Sequence, residues 1–177
     1  MKTKFNYNIL KRAIVSAIVL LSAILGPYIN ADRATAMMNV SALVKYSCSI
    51  NTTPMAFGAY NGVGANASIA LEATATVIST CTSGAEALIT MNAGTSAGSG
   101  SASAPVRRLT AGTSKYLDYQ VYSDVARDTV WGSTVLTGVA LTGTGVPQSL
   151  TVYGSIPSAQ IVPEGDYSDQ IIVTITY

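Results

Sequence analysis

MNVSALVKYSCSI, residues 38–50, and IIVTITY, residues 171–177, decide the fold class of this chain. In each stretch apolar residues recur at every second position, which predicts a β-strand with one buried face. The second stretch closes the sequence, so we expect an apolar strand whose outer edge no later segment covers. An uncovered strand edge promotes association unless a partner pairs with it. The pattern therefore favours assembly with another chain over catalysis.

The interior of the sequence predicts further short strands and no long amphipathic helix. The predicted strands are residues 68–80, 86–92, 116–122, 134–141, 148–156 and 168–177, separated by turn residues. Residues 122–130 are interpreted as a turn, with a single helical turn as the alternative, and the Gly/Ser/Ala-rich residues 93–105 as a flexible loop. Several short strands at this spacing indicate an all-β sandwich or barrel.

Residues 1–31 read as a secretory signal peptide, with cleavage as late as residue 36. Four basic residues precede an apolar run at 13–25, and Gly26-Pro27 ends that run. A membrane-spanning anchor is the alternative, but it needs about 20 apolar residues, so we expect no transmembrane anchor. The remaining chain has the length of one domain.

Charge and composition argue against several classes of function. Residues 1–31 carry four of the ten basic residues and no acidic residue, so the rest has six basic and nine acidic residues, a net charge of −3. That balance predicts no nucleic-acid partner. The chain has no histidine, which excludes Ser-His-Asp and Cys-His catalysis. Scattered carboxylates leave a paired-carboxylate site open. We nevertheless expect no catalytic residues, no bound metal and no cofactor.

Cys48 and Cys81 are the two cysteines of the chain. Each shares its strand phase with apolar residues, so both sulfur atoms should point into the interior. In an exported protein such a pair predicts one disulfide, which would add roughly 3–4 kcal/mol by the chain-entropy estimate. Two free buried thiols are the alternative. A zinc site is disfavoured because two thiolates without histidine leave the metal short of ligands.

Two groups of surface residues carry open alternatives. A set of aromatic residues could form a stacking platform for sugars, but we expect Tyr119 in the core and the others half-buried in the sheet. That set is Tyr116, Tyr119, Tyr122, Trp131 and Tyr153. Arg107-Arg108 could contact a partner, although a solvated strand entry is favoured. Asp124 and Arg127 could form a local ion pair of little energetic weight.

Several motifs together resemble the spore coat protein U domain family, which includes the pilin subunits of archaic chaperone–usher pili. The resemblance is carried by NVSALVKYSC at 39–48, FGAY at 57–60, Cys81-Thr82 and Arg107-Arg108. LDYQVYSDVARDTVWG at 117–132, VYGSIPSAQIVPEGDYSD at 152–169 and the closing alternation complete it. These motifs span nearly the whole chain after the leader.

The resemblance implies an incomplete immunoglobulin-like β-sandwich that a donor strand from a neighbouring subunit completes. Residues 32–45 would be the N-terminal donor segment, and residues 46–177 the pilin domain. The donor residues would be Met38, Val40, Ala42 and Val44, and the acceptor groove would include Ile171, Val173, Ile175 and Tyr177. The implied partners are neighbouring identical or related pilin subunits, a periplasmic chaperone and an outer-membrane usher.

The implied function is that of a structural, non-enzymatic subunit of a surface pilus, reached by secretion through the periplasm and serving adhesion and biofilm formation. A secreted spore-coat or surface-layer protein of the same family is the first alternative. A secreted carbohydrate-binding module that uses the tyrosines is an alternative of another class.

Overall fold

The computed structural model describes residues 31–177, so the predicted signal peptide lies outside the described residues except for Ala31. The chain divides into two units, residues 1–42 and 43–177. Of the first unit, residues 31–42 are exposed and have no regular secondary structure. The second unit carries eight β-strands, and residues 31–177 contain no α-helix. Within that range no helix is long and apolar enough to cross a membrane.

The strands form two antiparallel sheets. The strands are β1 (Cys48–Thr52), β2 (Leu71–Cys81), β3 (Glu86–Met91), β4 (Arg107–Thr110), β5 (Tyr116–Tyr122), β6 (Val139–Thr142), β7 (Gln148–Ile156) and β8 (Val173–Thr176). One sheet has the order β1-β2-β7-β5-β4, and the other has the order β6-β3-β8. The longest pairing runs between β2 and β7, from Leu71↔Ile156 to Ser79↔Gln148.

Alternating side chains supply the core between the sheets. In β5, Leu117, Tyr119 and Val121 are buried, whereas the residues between them are exposed or half-buried. This is the period-two pattern expected of a strand with one face on a core. The buried core cluster consists of Val77, Ile89, Met91, Leu117, Tyr119, Val121, Trp131, Val152 and Ile156. The all-β prediction is therefore confirmed.

Most predicted strands appear close to their expected bounds. The predictions for residues 116–122 and 148–156 agree with β5 and β7, and residues 68–80 and 86–92 contain most of β2 and β3. The predicted strand at 134–141 is wrong in its first half. The Gly138 N–H donates to the Thr134 carbonyl at 2.8 Å, and the Thr134 and Thr137 hydroxyls lie 2.7 Å apart, so this segment closes a turn before β6 begins.

The two end patterns form shorter strands than expected. The N-terminal pattern becomes a strand only at β1. Residues 31–47 are exposed and belong to no strand. The C-terminal strand prediction, residues 168–177, resolves into an isolated bridge between Ser168 and Thr110 followed by β8. A strand requires a neighbour for its main-chain groups, and sequence alternation alone does not supply one.

The predicted disulfide is present between Cys48 and Cys81, which are 33 residues apart in sequence. These residues oppose each other in the β1–β2 register. The loop at residues 93–105, predicted to be flexible, makes several hydrogen bonds to the start of β4. The Arg108 side chain donates to the carbonyls of Ser96 and Ala97 at 3.1 and 2.9 Å, and Gly98 N–H donates to Val106 at 2.9 Å.

Candidate functional site: an open strand edge beside a cleft

Strand β8 leaves one edge open. Among the described residues, β8 pairs with β3 alone and stands last in its sheet. Asn92 N–H donates to the Ile172 carbonyl at 3.1 Å, and Ile172 N–H donates to the Asn92 side-chain oxygen at 2.8 Å. Alternate residues of an antiparallel strand point their main-chain groups to opposite sides. The N–H and C=O groups of Val173 and Ile175 therefore face the open edge.

The four predicted groove residues lie along this edge but differ in burial. Ile171, Val173 and Ile175 are half-buried and pack against the core cluster. Tyr177 is 56% exposed. The three aliphatic side chains therefore present apolar surface beside unpaired main-chain groups, which is the combination that a docking strand would satisfy.

A cleft of about 840 Å³ is lined in part by Ser168 and Asp169, which precede β8 in the chain. One wall is residues 55–63, the opposite wall is residues 160–169, and the floor is formed by Leu109, Leu117 and Ile156 from β4, β5 and β7. We call this space the acceptor cleft. None of the four groove residues predicted from sequence lines it. Its floor residues are core positions in three separate strands, and nothing in their sequence neighbourhoods marks them as a shared surface.

The wall at residues 55–63 depends on a glycine in β7. Met55 and Phe57 pack against the core over Gly154, and a Cβ added there would lie 2.2 Å from Met55 Sδ and 2.8 Å from the Phe57 ring. The Phe57 ring also meets Tyr119 edge-to-face, with 6.2 Å between the ring centroids. Glycine at position 154 therefore lets the wall segment cross the inner face of the larger sheet.

Polar contacts hold the two walls of the acceptor cleft together at one end. The Tyr60 hydroxyl donates to the Pro157 carbonyl at 2.7 Å and accepts from Gln160 N–H at 2.9 Å. The Gln160 side chain accepts from Asp118 N–H at 2.8 Å and donates to the Asp118 carbonyl at 2.9 Å. The Gln160 amide thus occupies hydrogen-bonding positions that a neighbouring strand would otherwise use at this point of β5.

Arg107 is 1% exposed, so the predicted solvated strand entry is wrong for this residue. Its guanidinium donates to the carbonyls of Asn92 and Trp131 at 2.7 Å, to the Met91 carbonyl at 3.1 Å, and to the Gln120 side-chain oxygen. Burial lowers the Arg107 pKa to about 10. Carbonyl oxygens accept the hydrogen bonds of the guanidinium N–H groups. The buried arginine is therefore accommodated without a carboxylate partner.

Asp169 connects the rim of the acceptor cleft to the 93–105 loop. It accepts a hydrogen bond from the Tyr119 hydroxyl at 2.6 Å through one oxygen, and from Thr95 N–H and Thr95 hydroxyl, both at 2.8 Å, through the other. Burial, followed by the hydrogen bond to Asp169, raises the pKa of Tyr119 well above its ordinary value. The contact positions the chain just before β8.

The predicted donor residues are exposed. Met38 and Val40 are 87% and 86% exposed, and Ala42 and Val44 are also exposed. Monomeric soluble proteins rarely leave a continuous row of large apolar side chains in water without a partner. The exposed row is therefore the kind of apolar surface that a partner would bury.

Of the aromatic residues considered as a sugar platform, Tyr122 and Tyr153 are half-buried and oppose each other in β5 and β7, whereas Tyr119 and Trp131 lie in the core. Trp131 is 1% exposed, and its indole N–H donates to the Ile89 carbonyl at 2.9 Å. Tyr119 is buried, as expected. Arg108 lies over the Tyr116 ring at 4.1 Å, and Arg127 lies over the Tyr153 ring at 5.8 Å.

The predicted Asp124–Arg127 ion pair is replaced by another pairing. Arg127 pairs with Glu72 at 3.0 Å, whereas Asp124 accepts from the main-chain N–H groups of Asp128 and Thr129 at 3.1 and 2.7 Å. These main-chain bonds hold the pKa of Asp124 below its usual range. Within residues 31–177, no three His, Cys, Asp or Glu side chains gather into a group able to hold a metal ion.

Comparison with known proteins gives a family match over most of the chain. Residues 34–174 match the family described as the Spore Coat Protein U domain. Protein U of Myxococcus xanthus is 35% identical over 178 residues, covering 96% of this chain and 99% of that protein.

A solved structure shares the fold. It is the CsuC–CsuE chaperone–tip adhesion subunit pre-assembly complex from the archaic chaperone-usher Csu pili of Acinetobacter baumannii. The matched chain has a TM-score of 0.53 and 17% identity, covering 76% of this chain, which spans 40% of the matched one. The likeness confirms the predicted immunoglobulin-like sandwich.

Proposed function

We propose, because the chain belongs to the Spore Coat Protein U domain family, that it is a structural subunit of a secreted surface fibre assembled by donor-strand exchange. One observation carries the proposal. A single chain holds an open strand edge flanked by half-buried aliphatic side chains and, elsewhere, an exposed segment whose apolar residues alternate. The strand edge lacks partners for its main-chain groups, and the exposed segment lacks a surface on which to bury its apolar side chains. Docking of the segment along the edge supplies both.

In this proposal the donor segment, residues 32–45, of one subunit docks along β8 of the next. The side chains of Met38, Val40, Ala42 and Val44 turn toward the core, and Asn39, Ser41 and Lys45 face water. The acceptor residues are Ile171, Val173, Ile175 and Tyr177, extended by the floor and walls of the acceptor cleft. The layout assigns residues 1–31 to a signal peptide and residues 46–177 to the pilin domain.

The energy available to such docking is substantial. Burying Met38, Val40 and Val44 contributes about 1.5–3 kcal/mol for each side chain. The main-chain groups of Val173 and Ile175 gain partners, each bond adding about 1 kcal/mol net. Because the donor and acceptor surfaces differ, the contact repeats head to tail without closing, and repetition produces a fibre.

The same open edge requires protection before assembly. A periplasmic chaperone would cover β8 during export, and an outer-membrane usher would exchange that cover for the donor segment of a neighbour. The matched solved complex joins a chaperone to a tip adhesion subunit of an archaic chaperone-usher pilus, and the likeness of fold supports this route. The role assigned here is structural rather than enzymatic, on the cell surface, in adhesion and biofilm formation.

Polymer formation tests the proposal. Val40→Asp places a charge on the apolar face of the donor segment and should abolish polymers that resist dissociation, measured by electrophoresis without boiling and by electron microscopy. Ser41→Asp is the matched control, since it adds the same charge to the face that should point to water. Equal polymer yields from the two variants, both at the wild-type level, would contradict the donor register.

A second candidate function is a secreted coat or surface-layer component that does not build a pilus. The 35% identity to Protein U over nearly the full length of both chains favours it. Genes for a chaperone and an usher beside the gene for this chain would favour the pilus, and their absence would favour the coat protein. The sugar-binding alternative loses Trp131, which is buried, and would depend on Tyr116, Tyr122 and Tyr153.

A further inference from the structure

The disulfide lies where the proposed donor segment enters the sandwich. Cys48 is the first residue of β1 and follows the donor segment after two residues, and Cys81 is the last residue of β2. Thr82 adds support, since its N–H donates to the Ser47 carbonyl at 2.9 Å and its hydroxyl oxygen accepts from Ser47 N–H at 3.1 Å. Tension on the donor segment therefore reaches the folded sandwich at a covalent crosslink.

The chain directly after β1 builds one wall of the acceptor cleft. Residues 55–63 line the cleft and begin three residues beyond the end of β1. This stretch is held by non-covalent contacts, including a pair of bonds between Thr53 and Thr76 at 2.9 and 2.8 Å and those of the Tyr60 hydroxyl. Without the crosslink, a pull at Cys48 would peel β1 from β2 and then draw out this wall.

The crosslink also shortens the covalent route to the open edge. From Cys81 the chain reaches β3 after residues 82–85, and β3 pairs directly with β8 in the register Leu88↔Thr176 to Met91↔Val173. Ile175 packs against the small buried cluster formed by Cys81, Ala85 and Ala87. Cys48, where the donor segment meets the sandwich, is therefore linked to β3 through the disulfide and residues 82–85. The cluster around Cys81 also packs against Ile175 of β8.

We propose that the Cys48–Cys81 disulfide acts as a force shunt: tension on a subunit's donor segment passes through the disulfide to the end of β2 and so does not reach the wall of that subunit's own acceptor cleft. The inference rests on the proposed fibre function, because only a subunit held at both ends carries such tension. In this role the disulfide preserves the acceptor site that binds one neighbour's donor segment while the other neighbour pulls on the subunit's own donor segment.

Single-molecule stretching of polymers tests the shunt. Cys48 and Cys81 are 33 positions apart in sequence, so full extension of the chain between them adds about 110 Å when the bond is absent. Oxidised wild-type polymers should release subunits without this step. Wild-type polymers reduced after assembly, with reduction verified by thiol alkylation and mass measurement, should show the step of about 110 Å before release and a shorter lifetime at constant force.

The double substitution Cys48→Ser/Cys81→Ser supplies a second comparison. Its polymers should behave like reduced wild type, and reductant should change them no further. If this variant does not assemble, the comparison of oxidised with reduced wild-type polymers decides the question. Wild-type chain that never polymerises refutes the proposed function itself. Polymers that form, but show the same lifetime and no added extension after verified reduction, overturn the shunt alone.

Discussion

Replacing Arg107 by alanine should destabilise the sandwich more than replacing any exposed charged residue would. The guanidinium satisfies the main-chain carbonyls of Met91, Asn92 and Trp131 in a buried site, and each acceptor left without a partner costs about 1–3 kcal/mol. Removal of the buried charge gives back part of this, because burial disfavours the charged guanidinium and lowers its pKa to about 10. We expect a net loss of about 3–5 kcal/mol, as for other broken buried charge networks.

The effect should extend to the open edge. Arg107 holds the Asn92 carbonyl, and Asn92 in turn pairs with Ile172 just before β8. Loss of the guanidinium should therefore loosen the start of β8 as well as the junction between the sheets. Polymer yield should fall together with the free energy of unfolding.

Urea unfolding followed by fluorescence measures this change, because Trp131 is the single tryptophan and is fully buried. Wild type and variants must be compared in the same assembly state, established by size-exclusion chromatography. Arg108→Ala is the matched control, since Arg108 is adjacent but half-exposed, and it should cost less than about 1 kcal/mol. Equal stability of Arg107→Ala and Arg108→Ala would refute the reasoning.

Two further substitutions probe the interior beside the acceptor cleft. Because the folded-state pKa of Tyr119 is raised, its contribution to stability is complete below about pH 10 and is lost above it at up to about 1.4 kcal/mol per pH unit. Arg107, with a lowered pKa, changes stability with pH in the opposite direction. Comparing the unfolding of wild type and Tyr119→Phe at pH 9 and 11 therefore isolates the contribution of the phenol. An equal loss of stability between these pH values in both proteins would contradict the assignment. Gly154→Ala should cost about 1–3 kcal/mol, because the added Cβ displaces Met55. Ser155→Ala is its control, and equal urea midpoints for the two variants would show that the wall yields without strain.

The alternation of apolar and polar residues was sufficient to predict the strands in which it continues without interruption. Residues 116–122 and 148–156 alternate cleanly, and the structure places β5 and β7 at those bounds. The disulfide could also be predicted, since an exported chain with two cysteines in apolar phases has one natural pairing. At residues 134–141, by contrast, threonine and valine favour a strand by composition, but hydroxyl and main-chain bonds within 134–138 close a turn.

The placement of Arg107 could not be read from its neighbours. An arginine pair after a polar loop ordinarily lies in water. The carbonyls that receive Arg107 come from the end of β3 and from Trp131, which are 15 to 24 residues away in sequence. Their convergence is decided by the stacking of the two sheets. The acceptor cleft was missed for the same reason, because its floor combines single residues from β4, β5 and β7.

The amino-acid sequence by itself determined that this chain is all-β, which residues alternate, and that its two cysteines pair, because period and phase are local properties of a strand. The tertiary structure alone decided which strand edge stays open, where the cleft lies and which arginine is buried. Those features depend on which strands become neighbours, and that choice minimises unpaired main-chain groups and exposed apolar surface over the whole sandwich.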